Sequence, residues 1–498
     1  MKNFEKNLIR YMDAGLPILY IDTFEDDKAK GIIQRVCKDN HRGVIEWSLS
    51  GAWDHSVTPA MPMPKMNLEE TLNLLLSDES NLENKTLILC DAHFSLDKSE
   101  VISYLKRIAQ NINNGKYDCN VCIISPLMTL PKELESHITI MELDVLNEEA
   151  IRKIIIDFAN AQEIGRPEKD LLDKLVTRLK GLSQTEIDNI LSLAISENGM
   201  LSYSDLPRVL EQKQQMVKKS GILEMIQVKE SMSDIGGLEN LKSWLLRKAE
   251  IFKQIKKAQD FGVDVPKGVL IAGMPGCGKS LTAKAAAKAF DVPLLRLDMG
   301  RLMGKYVGES ESNMRRAIKL TEASSPCVLW IDELEKAFAG VSGGGSEVTT
   351  RLFGNFLTWM QEKDSLAFVV ATANKINALP PELLRKGRFD EVFYVDLPNS
   401  NERHKILEIH IKKRRKSDVN NINIDKLVDK TEGYCGADLE GVVREGIEAA
   451  FVNKQDSLTT DDIFKAIENT HSLSEVMKDS IKEMKKIYED LKLKSASK

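Results

Sequence analysis

The chain has 498 residues, too many for a single hydrophobic core, so its length predicts about two to four domains. Apolar residues make up 42% and charged residues 29%, a balance typical of folded proteins rather than of disordered ones. The net charge of −6, the 6% of aromatic residues and the lack of an apolar run near the roughly 18 residues of a membrane span argue against nucleic acid and membranes as partners.

The first half of the chain contains three short apolar runs that predict buried strands: Ile18–Ile21, Leu87–Cys90 and Val121–Ile124. The acidic segment Asp22–Asp27 follows the first run, and Asp91 follows the second. A CxxC pair lies in and beside the third run, where packing in the core is favoured over metal or redox chemistry. The odd total of seven cysteines argues against a disulfide framework, so we expect a cytoplasmic protein.

The second half alternates apolar runs with helical patterns. The runs Val269–Ala272, Val328–Ile331 and Phe368–Ala371 predict buried strands, and Ser280–Phe290 predicts an Ala- and Lys-rich helix. Fully apolar strands between amphipathic helices are typical of a parallel sheet covered on both faces. After about residue 396 the strand patterns stop and helical patterns continue, which predicts a smaller helical domain.

Short matches in the same order suggest that the two halves are related modules in tandem. The matching pairs are Leu130–Leu134 with Leu379–Leu383, Leu143–Glu148 with Leu397–Glu402, and Gly181–Ile187 with Gly433–Leu439. The join is a charged helical stretch around 212–230. We therefore expect a first module over 1–220, a large α/β subdomain over 230–395, a helical subdomain over 396–475 and a tail over 476–498 that is helical with a disordered end.

The segment Gly273–Ser280 fits the pattern GxxxxGK[ST], between a predicted strand and a predicted helix. Its glycines allow backbone N–H groups to surround phosphates, and the helix N-terminus adds the positive end of its dipole. Lys279 can neutralise phosphate charge, and the hydroxyl of Ser280 suits Mg²⁺. A glycine-rich turn with a surface lysine is the alternative.

Polar side chains follow the next two predicted strands of this half. Asp332 and Glu333 come directly after Val328–Ile331, and Asn374 comes shortly after Phe368–Ala371. Ligands of open α/β sheets bind at the carboxyl ends of the strands. We expect Asp332 to hold Mg²⁺ through water, Glu333 to polarise the attacking water, and Asn374 to hold the γ-phosphate and that water. A surface Asp-Glu pair is the alternative.

With these motifs the chain resembles the AAA ATPases over roughly 230–470. Segment 233–238 resembles the family's adenine-side signature, 406–410 resembles the lid segment that contacts the nucleotide, and 433–439 resembles the second-sensor segment, with Cys435 where Ser is usual. The resemblance implies ATP and Mg²⁺ as ligands. The implied nucleotide-binding positions are Asp234, Ile235, Gly236, Gly273, Met274, Pro275, Gly276, Cys277, Gly278, Lys279, Ser280, Leu281, His410, Gly436 and Ala437.

The resemblance also implies a homo-oligomeric ring, usually a hexamer, with a nucleotide at each subunit boundary. Arg385 and Arg388 match the arginine-finger segment, although Lys386 stands where proline is more usual. Guanidinium groups that reach a neighbour's γ-phosphate would stabilise charge in the transition state; a solvated basic turn is the alternative. Tyr306 and Val307 match the first pore loop, which would grip extended polypeptide, and 339–346 is expected to be a second pore loop. A core-facing Tyr306 is the alternative.

The pairing of two modules is similar to bacterial and plastid stress-type AAA proteins of the hypothetical chloroplast reading frame group. The first module lacks the GK[ST] sequence, has Ala92 after Asp91, and is five residues shorter over the arginine-finger segment. The fold class is therefore a P-loop α/β sheet with a C-terminal helical lid, preceded by a degenerate AAA-like module. We expect that module to bind no nucleotide and to serve as an adaptor, an assembly platform or a regulator.

These patterns predict Mg²⁺-dependent ATP hydrolysis that drives the remodelling of a protein substrate of unknown identity. The alternatives are a nucleotide-gated scaffold with slow ATPase activity and, less favoured, a DNA translocase. The chain contains no HExxH motif, which argues against metalloprotease activity. Cys277 stands where relatives more often have Thr. A thiolate favoured by the helix N-terminus would make the site oxidant-sensitive, and a passive small residue is the alternative.

Overall fold

The computed structural model divides the chain into two compact units, Met1–Leu201 and Ser202–Lys498. No helix in the part of the chain that the structure describes is long and apolar enough to cross a membrane. The described residues are 2–23, 25–57, 59–126, 130–144, 146–303, 309–338 and 347–498.

The first unit is a mixed sheet with helices. Its strands are β1 (Ile18–Asp22), β2 (Gly43–Ser48), β3 (Gly51–Asp54), β4 (Met61–Pro62), β5 (Lys85–Cys90), β6 (Cys119–Ser125) and β7 (Ile138–Glu142). Its helices are α1 (Lys2–Asp13), α2 (Asp26–Asp39), α3 (Leu68–Ser77), α4 (Ser99–Asn113), α5 (Glu148–Ala161), α6 (Lys169–Leu179) and α7 (Gln184–Asn198). The sheet order is β4-β3-β2-β5-β6-β1-β7; β3 pairs with β2 and with β4 in antiparallel fashion, and the other named pairs are parallel.

The central strands of this sheet are buried on both faces. Every residue of β6 is buried, and β1 pairs with it in parallel register, with Ile18 opposite Val121. Alternate side chains of β1 enter two different core clusters, Ile18 on one face and Leu19 on the other. Cys119 and Cys122 lie in this buried strand, and burial raises the pKa of the Cys119 thiol to about 12, which favours packing over redox chemistry for this pair.

The second unit has the same kind of sheet and a separate group of helices. Its strands are β8 (Leu223–Ile226), β9 (Gly268–Gly273), β10 (Leu294–Leu297), β11 (Cys327–Ile331), β12 (Ala367–Ala373), β13 (Glu391–Val395) and β14 (Lys494–Ser495). Its helices are α8 (Leu206–Ser220), α9 (Glu239–Lys253), α10 (Ile255–Asp260), α11 (Lys279–Phe290), α12 (Met299–Leu302), α13 (Glu309–Ala323), α14 (Leu334–Phe338), α15 (Glu347–Glu362), α16 (Ser400–Arg414), α17 (Ile424–Asp429), α18 (Gly436–Val452), α19 (Thr460–Glu468), α20 (Leu473–Val476) and α21 (Lys478–Asp490).

The two sheets share one strand order. The second sheet runs β14-β13-β9-β12-β11-β10-β8. Without the β3–β4 hairpin, the first sheet has five parallel strands in the order β2-β5-β6-β1-β7. Without the outer strands β8 and β14, the second has five in the order β13-β9-β12-β11-β10. In both sheets the strand that comes first in the chain, β1 or β9, lies between the fourth and the fifth. This common order confirms the predicted fold class, a P-loop-type sheet preceded by a related module.

The structure corrects two expectations about where strands occur. The stretch 212–230 is not helical throughout, because β8 pairs with β10 in antiparallel register, with Leu223 opposite Leu297. Strands also do not stop at residue 396, because β14 pairs with β13. β14 consists of two polar residues and Glu224 interrupts the apolar residues of β8, so neither segment shows the continuous apolar run by which the inner strands were predicted.

The helices α16 to α19 form the lid, which has a core of its own. Leu407 and Ile411 of α16 pack with Leu439 and Val443 of α18, all of them buried. The helix α16 begins at a capping box, in which the Asn399 side chain accepts from the backbone N–H of Glu402 and the Glu402 side chain accepts from that of Asn399.

Phe290, the last residue of α11, is central to one core cluster of the second unit. It is 2% exposed, and its ring centroid lies 5.0 Å from that of Phe252 and 4.6 Å from that of Phe368. Phe290→Ala should lower the free energy of unfolding of this unit by about 3–5 kcal/mol, because it removes these contacts and leaves a cavity.

Denaturant-dependent hydrogen exchange on β9 peptides measures this loss in the second unit alone. Phe261→Ala is the control, since Phe261 is 87% exposed, and it should change the stability by less than about 0.5 kcal/mol. Equal stabilities of the two variants would contradict the assignment of Phe290 to the core.

Candidate functional site

A cleft of about 450 Å³ lies where the carboxyl ends of β9, β11 and β12 meet the lid. Most of the predicted site residues line it. They are Asp234, Ile235, Gly236, Pro275, Gly276, Cys277, Gly278, Lys279, Ser280, Leu281, Asp332, Glu333, Asn374, His410, Gly436 and Ala437. Gly273 and Met274 precede the lining residues and hold the loop in place: the N–H of Met274 donates to the carbonyl of Val395 in β13 at 3.0 Å.

Lys279 is the first residue of α11, and its side chain is buried in the cleft. The residue is 7% exposed, and its Nζ donates to the carbonyls of Gly273 at 2.9 Å and Met274 at 2.7 Å. Burial lowers the pKa of this ammonium group, since desolvation opposes its charge. A buried cation next to the N–H groups at a helix N-terminus favours an anionic ligand.

Oxygen groups converge at the tips of β11 and β12. The Ser280 hydroxyl lies 3.3 Å from Oδ1 of Asp332, and the Thr372 hydroxyl donates to the same oxygen at 2.6 Å. No group of three or more His, Cys, Asp or Glu side chains that could hold a metal occurs in the described ranges. A hydroxyl and one carboxylate fit Mg²⁺, which commonly takes one or two protein oxygens together with water and substrate phosphates.

Glu333 has a left-handed backbone conformation, with φ of 51°, directly before α14. Its N–H donates to the Thr372 hydroxyl at 3.0 Å. The side-chain amide of Asn374 donates to Oε1 of Glu333 at 3.0 Å, and the Asn374 backbone N–H donates to Glu335 at 3.0 Å. Strand ends β11 and β12 therefore hold this carboxylate and this amide in direct contact, at the edge where a water and a phosphate would meet.

Glu402 joins the lid to the opposite wall of the cleft. Its Oε1 accepts from the N–H of Leu238 at 3.0 Å, and its residue is 7% exposed. Gly237 has φ of +86°, and a Cβ there would lie 2.4 Å from Oε1 of Glu402. The loop that contains Asp234, Ile235 and Gly236 is thus fixed against the start of α16, and it lines the same cleft as Lys279 and Ser280.

The lid also contacts the phosphate loop directly. The N–H of Ala437 donates to the carbonyl of Gly276 at 3.0 Å. A Cβ at Gly276, where φ is +72°, would lie 2.6 Å from Sγ of Cys435. His410 of α16 lines the same cleft, and burial lowers its pKa, which favours the neutral ring.

Arg385 and Arg388 do not line the cleft. Gly387 and Asp390, on either side of Arg388, lie at the amino-terminal end of β9. There Nζ of Lys267 donates to the carbonyl of Gly387 at 3.0 Å, and Oδ2 of Asp390 accepts from the N–H groups of Lys267 at 3.0 Å and Gly268 at 3.3 Å. The phosphate loop follows the other end of β9, about 20 Å away for six extended residues. Arg388 is therefore near the end of this strand that is remote from the cleft of its own chain.

The predicted pore-loop residues Tyr306 and Val307, and the stretch 339–346, lie outside the described residues.

The predicted site did not include several residues that line the cleft: Thr372, Asp396, Glu402 and Glu440. Thr372 could have been found, because it is a hydroxyl residue at the tip of an apolar strand, two residues before Asn374. Glu402 was visible as the fourth member of a capping box, although nothing in that pattern indicates its bond to Leu238. The sequence offered no comparable signal for Asp396 or Glu440.

The corresponding edge of the first unit is acidic. After β1, the helix α2 begins with Asp26 and Asp27. Burial and the neighbouring Asp91 raise the pKa of Asp26. Carboxylates at this position would repel phosphates, whereas the second unit has Lys279 there.

Comparison with known proteins places this geometry in a family. The model of the ATPase family associated with various cellular activities matches 269–397, and an AAA+ lid domain model matches 421–465. The chain is 36% identical over 488 residues to the uncharacterized AAA domain-containing protein ycf46 of Guillardia theta, covering 97% of this chain and 94% of that protein. The chain belongs to the AAA family of ATPases. This confirms the resemblance and the enzyme class predicted from the motifs.

Other AAA relatives match all or part of the chain. The ycf46 protein of Pyropia yezoensis is 35% identical and covers 99% of each chain. The proteasome-activating nucleotidase of Saccharolobus solfataricus is 32% identical over 311 residues, which are 60% of this chain and 75% of that protein. The chain before the ATPase module matches two further models, the N-terminal domain of SpoVK-like AAA ATPases over 4–143 and their second domain over 149–220, which extends past the end of the first unit.

The structure also bears on the idea of a reactive Cys277. Burial raises the pKa of this thiol to about 12, which opposes the lowering expected at a helix N-terminus. At pH 8 only about one thiol in ten thousand would be ionised, so iodoacetamide should alkylate Cys277 roughly a thousandfold more slowly than an unperturbed thiol.

Mass spectrometry of the Cys277 peptide measures this rate, with the urea-unfolded chain as the control. Between pH 8 and pH 10 the rate should rise about tenfold per pH unit, since the thiolate fraction grows in that proportion below the pKa. A rate that levels off below pH 9 would show that the thiol is ionised more readily than its burial allows.

Proposed function

We propose that the chain hydrolyses ATP with Mg²⁺ in this cleft and uses the cycle to remodel protein substrates as a homo-oligomeric ring. The observation that carries the proposal is the convergence of Lys279, Ser280, Asp332, Glu333 and Asn374 at one edge of one sheet.

Each side chain has a role that its position supports. Lys279 and the N–H groups at the start of α11 bind the β- and γ-phosphates. Ser280 and Asp332 would hold Mg²⁺, which supplies positive charge to the phosphates when bound. Glu333 orients the attacking water and accepts its proton, while Asn374 fixes the Glu333 carboxylate and faces the γ-phosphate.

The cleft also contains residues that suit a nucleoside. Asp234, Ile235 and Gly236 line it together with Ile406 and His410 of the lid. Such a mixture of apolar side chains and a few polar groups is typical of a pocket for a flat base and its ribose. We assign adenine to these residues, because their segments resemble the family's adenine-side signature and its lid contact.

The position of the arginines supports a ring. Neither Arg385 nor Arg388 lines the cleft of its own chain, and Arg388 lies near the other end of β9, so we assign both to the γ-phosphate of another copy of the chain. A guanidinium group from a neighbour would stabilise the charge that develops on the transferred phosphoryl group. The family commonly assembles into hexamers, and we propose the same for this chain.

The remodelling role is supported by relatives of the ATPase half. They include a cell division cycle protein 48 homolog of Archaeoglobus fulgidus, 32% identical over 261 residues, and the ATP-dependent zinc metalloprotease FtsH 4 of Synechocystis, 34% identical over 247 residues. This chain contains no HExxH motif, so we do not extend the protease activity to it.

We propose that the first unit binds no nucleotide and acts as a substrate adaptor, an assembly platform or a regulator. Its sheet has the strand order of the ATPase unit, but Asp26 and Asp27 stand at the edge where phosphates would bind. One ATP per chain is the expected stoichiometry.

Glu333→Gln should bind one ATP per chain and lower the turnover number by at least about a hundredfold, because the amide cannot accept a proton from water. Lys279→Ala should lose most ATP binding. Isothermal titration gives the stoichiometry, and phosphate release gives the turnover. Glu322→Gln is a matched control outside the cleft. If Glu333→Gln hydrolysed ATP at the parental rate, the catalytic assignment would be wrong.

Tyr306→Ala distinguishes a remodeller from a nucleotide-gated scaffold. If the aromatic ring grips polypeptide, the variant should lose unfolding of a tagged fluorescent substrate while it keeps its basal ATPase activity. Tyr306→Phe is the matched control, because it keeps the ring and removes only the hydroxyl. Unfolding or remodelling that survives Tyr306→Ala would contradict the pore-loop role, and a chain without any unfolding activity would favour the scaffold.

A further inference from the structure

The segment 478–498 is part of the ATPase unit rather than a loose tail. Strand β14 extends the sheet beside β13, with Phe393 opposite Lys494 and Tyr394 opposite Ser495. Ala496 is completely buried, and its N–H donates to the carbonyl of Tyr394 at 2.8 Å. This corrects the expectation that the chain ends in a disordered stretch.

The same segment holds the first turn of α9. The carbonyl of Ala496 accepts from the N–H groups of Asn240 at 3.0 Å and Leu241 at 3.1 Å. N–H groups in the first turn of a helix have no acceptor within that helix, so this carbonyl acts as its cap. The helix begins directly after Leu238, which lines the cleft. By capping this helix, the segment helps to hold Leu238 in its position at the cleft.

Helix α21 contacts another residue that lines the cleft. The ring of Tyr488 stacks on that of Tyr394 in β13, with centroids 3.8 Å apart, and Tyr488 is 3% exposed. One turn earlier, Nζ of Lys485 lies 3.0 Å from Oδ2 of Asp396. Asp396 follows β13 directly and lines the cleft beside the phosphate loop. The stacked rings of Tyr488 and Tyr394 therefore hold α21 where Lys485 can pair with the Asp396 carboxylate.

A carboxylate in a cleft for a triphosphate needs a counter-charge, because two anions repel each other strongly in a partly desolvated site. The side chains of Lys485 and Asp396 are 45% and 36% exposed, and an ion pair with that exposure contributes little to folding stability. The positive charge of Lys485 still acts on any anion bound next to Asp396. The effect of Lys485 should therefore appear in nucleotide binding rather than in stability.

We propose that Lys485 is a positioning residue of the nucleotide site, held by the docked segment 478–498 so that it neutralises Asp396 and permits tight ATP binding. The inference rests on the proposed assignment of the cleft as the nucleotide site, and it does not depend on a ring or on a protein substrate.

The first test compares Lys485→Ala with Lys486→Ala, an exposed lysine on the same helix as the matched control. Lys485→Ala should raise KM for ATP about fivefold at low ionic strength, since it leaves one unpaired charge near the phosphates. The turnover number and the Tm should stay close to the parental values. The increase in KM should shrink in high salt, because ions screen the charge. Lys486→Ala should change none of these quantities.

The second test removes both charges. Asp396→Asn combined with Lys485→Ala should return KM for ATP to near the parental value, because the variant has neither the carboxylate nor the lysine charge at this position. An unchanged KM in Lys485→Ala would overturn the proposal. A lowered Tm that accompanies the raised KM, without recovery in the double variant, would also overturn it, since both results would indicate a purely structural role.

Lys279→Ala separates this inference from the assignment of the site. If Lys279→Ala still binds ATP in a direct titration, the cleft is not the nucleotide site and the inference fails with it. If Lys279→Ala loses ATP binding while Lys485→Ala keeps the parental KM, the site stands and only the role of Lys485 is refuted.

Discussion

The contact between the lid and the phosphate loop leaves no space for a side chain at Gly276. The N–H of Ala437 donates to the Gly276 carbonyl, and a Cβ at Gly276 would lie only 2.6 Å from Sγ of Cys435. The cleft exists only as the gap between two subdomains, each with its own core. Because the lid is bonded to the phosphate loop at Gly276 and to Leu238 through Glu402, the two sides of the cleft are held together at two points.

The two units show that the strand order of a sheet and the charge at its carboxyl edge depend on different residues. Buried apolar strands produce the same five-strand order twice, because a parallel sheet covered on both faces tolerates many apolar sequences. The loops at the carboxyl edge are free of that requirement. In one unit they carry Lys279 and Ser280, and in the other they carry Asp26 and Asp27. The family therefore supplies the scaffold, while a few loop residues determine whether phosphates are attracted or repelled.

The inner strands and the phosphate loop could be predicted because their signals are local: an apolar run, or glycines and a lysine at fixed spacing. Asn374 and Glu333 could be assigned because parallel strands end at one edge. Glu402 and Asp396 could not, since their partners Leu238 and Lys485 are far away in the sequence and neither pair follows a periodic pattern. The docked strand β14 was missed for the same reason: two residues held by backbone hydrogen bonds have no apolar signature.

Strand β9 connects the two groups that a ring of AAA subunits would bring together. Its carboxyl end continues into the phosphate loop, and its amino end is hydrogen-bonded to Asp390, two residues after Arg388. All six residues of the strand are buried, and it pairs with β12 on one side and β13 on the other, which opposes bending along its length. In the proposed ring, this strand would set a fixed distance between the phosphate loop of one site and the arginine that serves the next, so the spacing of neighbouring sites would be determined inside each subunit.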